Sequence, residues 1–94
     1  MLTGKEKRYL RGKASVMNAV VIVGKDGLSS NLIKSLNDAL EAHELVKVSI
    51  LKTCDLEVRE VALDLAGACN AQIVQTIGRV IVFYRRTKKN LMGL

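Results

Sequence analysis

Two glycines enclose a lysine and an aspartate at Gly24-Lys25-Asp26-Gly27, directly after the apolar run Ala19-Val20-Val21-Ile22-Val23 and just before Leu28 and Ser29. Residues of these types at this spacing can seat a phosphate. Glycines lack Cβ atoms, allow φ > 0 and let another molecule approach the main chain closely. Ser29 can cap a following helix, whose first N–H groups have no partner inside the helix and attract anions. Lys25 adds a cation, whereas the Asp26 carboxylate has to face away for a phosphate to enter. A bare strand-to-helix turn needs one glycine only. The second glycine and the lysine carry the ligand reading.

Other chemistry is scarce. His43 is the one histidine and stands near the expected end of a helix, where a cap or local hydrogen bond accounts for it. Cys54 and Cys69 form no Cys-x-x-Cys pair and read as small buried thiols in a reducing compartment. A zinc cage lacks ligands, and no nucleophile–base pair has a recognisable spacing. The expectation is therefore a protein that is not an enzyme and holds no metal or cofactor, with no small-molecule substrate.

The elements that must position the glycine loop follow from periodicity. Thr3 with Glu6 three residues on forms a capping box, which opens a first helix over Gly4 to Ala14. The β-branched run Ala19 to Val23 predicts a buried strand. Leu28, Leu32, Ile33, Leu36, Ala39 and Leu40 recur at helical steps and predict a second helix over Ser30 to Ala42. Leu45 to Leu51 alternates as a second strand. Asp55 is the expected cap of a third helix over Leu56 to Cys69. Asn70 to Ile77 and Val80 to Tyr84 then make two strands joined by a tight turn at Gly78-Arg79. The basic stretch Arg85 to Asn90 lacks core periodicity and reads as a flexible tail; one domain is set at residues 1–90, with 91–94 as tail. Helix crossovers and a final hairpin give an α+β fold, a compact α/β sandwich in the order α-β-α-β-α-β-β with a four-stranded mixed sheet.

Charge is unevenly spread. Fifteen Lys and Arg stand against nine Asp and Glu among 94 residues, a formal +6, which favours a polyanionic partner. Basic residues gather at Lys5, Lys7, Arg8, Arg11 and Lys13 of the first helix, at Lys25, at Arg79, and at Arg85, Arg86, Lys88 and Lys89. The like-charged pairs Lys7/Arg11 and Arg8/Arg11 each cost roughly 0.2–0.5 kcal/mol, and only Glu6 opposes them in that helix. Asp38, Glu41, Glu44, Asp55, Glu57, Glu60 and Asp64 collect along the second and third helices instead. A 3% aromatic content leaves no platform for stacking bases on rings. The longest apolar run is far shorter than a membrane span and no apolar leader is visible, so a soluble cytoplasmic protein with no membrane partner is expected. The tetrad is neither a P-loop nor a dinucleotide fingerprint. It does match the Gly-x-x-Gly type that clamps single-stranded backbone in KH modules.

Three blocks together resemble the CRM domain family (chloroplast RNA splicing and ribosome maturation), in its stand-alone bacterial YhbY type. They are Val20-Val21-Ile22-Val23-Gly24-Lys25-Asp26-Gly27-Leu28, His43-Glu44-Leu45-Val46-Lys47-Val48, and Gln75-Thr76-Ile77-Gly78-Arg79 leading to Tyr84-Arg85. The resemblance implies a fold similar to the C-terminal domain of translation initiation factor 3. It implies RNA binding without catalysis, with ribosomal RNA in precursors of the large ribosomal subunit as partner. The family's glycine loop maps onto Gly24 to Gly27 and its basic first helix onto Lys5 to Lys13. Ser15, Ala19 and Arg86 depart from the family's pattern, standing where a histidine and two prolines are common. From the residues alone, a protein-interaction or general polyanion-binding module stays an alternative.

Overall fold

The computed structural model describes residues 2–94. The elements are α1 (Gly4–Ala14), β1 (Val21–Val23), α2 (Ser30–His43), β2 (Leu45–Ile50), α3 (Val58–Cys69), β3 (Gln72–Ile77) and β4 (Val80–Tyr84). They build the expected α+β fold, with three helices on a four-stranded mixed sheet in the order β1-β2-β4-β3. β1 runs parallel to β2, and β4 pairs antiparallel with both β2 and β3. α3 thus crosses from β2 to a strand of the same direction that is not its neighbour. β4 folds back into the gap, an arrangement no local pattern encodes.

Alternation along the strands sends side chains to two cores. Val46, Val48 and Ile50 of β2 and Ile81 and Phe83 of β4 meet Leu36 and Leu40 of α2 and Val61 and Leu65 of α3. Leu45, Val82 and Tyr84 point the other way and meet Leu10 and Ala14 of α1. Ile73 faces the first core and Val74 the second, and a bulge between Ile73 and Gln75 in β3 then shifts the alternation, so that Gln75 and Ile77 pair with Val82 and Val80 on the α1 side.

Some boundaries depart from the sequence pattern. Asp55 caps nothing: α3 begins at Val58, behind Glu57, which makes no side-chain cap bond. β1 is shorter than the apolar run: Ala19 and Val20 precede its first residue, although Val20 N still donates to Lys47 O at 3.1 Å. The cap of α1 does form, with Thr3 Oγ1 accepting from Glu6 N and Glu6 Oε1 accepting from Thr3 N.

The C-terminal segment, expected as a free tail, lies against the body of the fold. Its anchor is Glu44, a residue whose place among the acids of the sequence gave no sign of burial. Glu44 is fully buried with φ of 64°, where L side chains are uncommon. Its carboxylate accepts from Thr87 Oγ1 at 2.5 Å, Thr87 N at 3.1 Å and Met92 N at 3.1 Å. Met92 and Leu94 pack onto the α1 core. Burial pushes the Glu44 carboxyl pKa up. The hydrogen bonds from Thr87 and from the backbone at Leu91 and Met92 outweigh burial and hold it at about 2, below the ordinary 4.5. The stabilisation is therefore complete above about 4.5 and is lost as pH falls from there toward 2. Glu44→Gln is expected to flatten the acid limb of a pH series of urea midpoints; an unchanged limb contradicts this role.

Lys47 of β2 fixes the other helix. Its Nζ donates to Ala14 O at 3.0 Å and Met17 O at 3.1 Å, so a cation satisfies the last carbonyl of α1 and one in the segment that leaves it. Lys47→Met is expected to lower the unfolding free energy by about 2 kcal/mol. Hydrogen exchange should show α1 opening first, and full protection of α1 would contradict the clamp.

Candidate nucleic-acid interface

β1 ends at Val23 because a turn follows, closed by Gly27 N donating to Gly24 O at 3.0 Å. Of the two loop glycines, Gly27 alone uses the freedom of glycine, with φ of 63°; a Cβ there would also lie 3.4 Å from Leu56 Cδ1. Gly24 has no positive φ, and a Cβ on it would meet Leu51 Cδ1 at an ordinary 3.7 Å. Ser29 caps α2 as its sequence position predicts, its Oγ accepting from Leu32 N at 3.1 Å. No acidic side chain occupies the first turn of α2. Loop and helix start enclose a groove of about 240 Å³ that reaches Ile22 on one side and Asn31 and Ser35 on the other. Lys25 and Asp26 are both exposed at its rim.

α1 covers only part of its sheet face, because its buried stripe is confined to Leu10 and Ala14. Beyond its C-terminal half the sheet is bare. Ile22 is 56% exposed and Ile77 62% exposed. Register places Ile22 opposite Ser49, Ser49 opposite Val80, and Val80 opposite Ile77, one row across all four strands on the α1 side. Ile22 borders the glycine-loop groove at one end of this row. Arg8 and Arg11 overhang the other end, above a cleft of about 390 Å³ floored by Ile77, Val80 and Val82. Among the described residues only two ion pairs form, Lys34–Asp38 and Arg85–Glu41, so Arg8 and Arg11 face no carboxylate within 4 Å. Lys5 and Lys13 are exposed on the same helix and Lys7 is half-buried, with Lys13 Nζ 5.4 Å from the Tyr9 ring centroid. The exposed acids Asp38, Glu41, Glu60 and Asp64 lie on helices that pack on the opposite sheet face.

Other basic candidates go elsewhere. Arg85 turns inward, its side chain 20% exposed. Its guanidinium donates to Asn37 Oδ1, Asn37 O, Cys69 O and Glu41 Oε2, tying the C-terminal half of α2 and the end of α3 to the end of β4. Arg79 donates to Ile50 O at 2.9 Å and Leu51 O at 2.7 Å, which braces the end of β2 across the hairpin. Arg86, Lys88 and Lys89 are exposed, but they follow Tyr84, which pairs with Leu45 at the strand end away from the glycine loop. The length of β2 separates the two ends, roughly 17 Å. Cys69, buried and unoxidised, has its thiol pKa raised by burial, with Arg85 opposing the shift.

Among the described residues no group of three or more His, Cys, Asp or Glu gathers as a metal site, and no helix is long and apolar enough to cross a membrane.

Residues 2–85 match the family model of the CRS1/YhbY (CRM) domain. The chain is 48% identical over 90 residues to the "Probable RNA-binding protein YqeI" of Bacillus subtilis, covering 96% of this chain and 94% of that one. It is 34% identical over 89 residues to a Haemophilus influenzae protein named "RNA-binding protein", covering 94% and 89% respectively. The solution structure of the hypothetical protein SAV1595 from Staphylococcus aureus superposes with a TM-score of 0.83 at 42% identity, over 98% of this chain and 96% of that one.

Proposed function

Because the chain belongs to the CRS1/YhbY (CRM) domain family, we propose that it is an RNA-binding protein whose interface is the bare half of the α1 sheet face. The names of its relatives support RNA as the partner. One observation carries the location: the glycine loop and the unpaired arginines of α1 border the same uncovered row of strand residues. Backbone phosphate meets the loop through main-chain N–H groups and α1 through Arg8 and Arg11. Lys5, Lys7, Lys13 and Lys25 add long-range attraction, while Arg79 and Arg85 hold the scaffold. The protein acts in the cytoplasm as an assembly factor on precursors of the large ribosomal subunit, and it catalyses nothing itself.

Sucrose-gradient sedimentation of a cell lysate tests this reading. The protein is expected to co-migrate with particles lighter than the mature large subunit, less so at raised salt. Gly24→Asp should weaken that association with the fold intact, since Gly24 has room for a Cβ and no positive φ. A signal only at the top of the gradient at every salt would overturn the assembly role.

A further inference from the structure

The cleft between α1 and the bare sheet is more than a charged surface. Its floor is aliphatic, made by Ile77, Val80 and Val82, and its wall carries two arginines. Polar groups stand at its edge: the Gln75 amide, and the Lys47 ammonium, which spends two of its three N–H groups on the carbonyls of Ala14 and Met17. A volume of about 390 Å³ lies within the range of small-molecule pockets. A phosphate alone needs none of the apolar floor. A flat, partly apolar ring with hydrogen-bonding edges uses all of these features, and an arginine plane can stack on such a ring. The row from Ile22 to Ile77 crosses three strand spacings, about 14 Å, so one nucleic-acid strand held at the glycine loop reaches the cleft.

Resting on the RNA-binding reading above, we infer that this cleft takes up an unpaired nucleobase of single-stranded RNA. The base lies on the aliphatic floor beneath Arg8 and Arg11, which also neutralise the flanking phosphates. The floor substitutes for the aromatic platform that a 3% aromatic chain lacks. A base locked in a duplex is unavailable to it, so unpaired segments are preferred over helices of equal charge.

The test is fluorescence anisotropy with a short single-stranded oligoribonucleotide and the same strand made abasic through its middle, which keeps every phosphate. The full protein is expected to bind the abasic strand about tenfold more weakly, the scale of one base seated. Ile77→Ser, a change at an exposed position, should lose about as much on the normal strand and nothing further on the abasic one. Equal affinity of the unaltered protein for both strands overturns base uptake while leaving backbone binding in place. Binding to neither strand overturns the RNA reading itself.

Discussion

Arg85→Met is expected to lower the unfolding free energy by about 3 kcal/mol and to weaken RNA binding only as far as it unfolds the protein. The guanidinium satisfies Cys69 O near the end of α3 and both the side chain and carbonyl of Asn37 in α2. Methionine fills much of the space but donates nothing, so half-buried acceptors lose their partners together. The exposed Arg85–Glu41 pair contributes little of this loss, because Glu41 is largely in solvent. Urea unfolding gives the stability change, and titration of the folded fraction gives the affinity. A stable variant with sharply reduced affinity would move Arg85 from scaffold to interface.

Arg8→Glu combined with Arg11→Glu should act in the opposite sense, sparing the fold and reducing RNA affinity about a hundredfold, or roughly 2.7 kcal/mol. Neither side chain forms an ion pair among the described residues, and Arg11 is repelled by Lys7 one turn away, so stability loses little. The salt dependence carries the diagnosis. Two phosphate contacts removed from a single strand should reduce the slope of log affinity against log salt by about 1.4. A drop in affinity with the slope unchanged would show that these arginines act other than by meeting phosphate.

Much of this fold is legible locally. Thr3 with Glu6 and Ser29 with Leu32 are short-range caps, and the structure forms both as their spacing requires. Strand alternation in Val46, Val48 and Ile50 likewise reports which side chains are buried. What is not legible depends on partners distant in sequence. Nothing around β4 encodes its insertion between β2 and β3. Arg85 looks like part of a basic tail because its acceptors, Asn37 and Cys69, are carbonyl-bearing positions on helices far along the chain. Glu44 reads as one more acid until Thr87 and Met92 close on it. The proposed interface divides the same way. The glycine loop announces itself by residue type, whereas the bare row from Ile22 to Ile77 exists only once four strands are in register.

Mapping the RNA footprint by backbone amide chemical shifts tests the central claim most directly. Titration with a single-stranded RNA is expected to move amides of the glycine loop and α2 start, the C-terminal half of α1, and the strand ends around Ile77 and Val80. The exposed faces of α2 and α3 around Asp38 and Asp64 should stay still. Shifts concentrated on those helices, or spread evenly over every basic residue including Lys88 and Lys89, would contradict an interface on the bare sheet face.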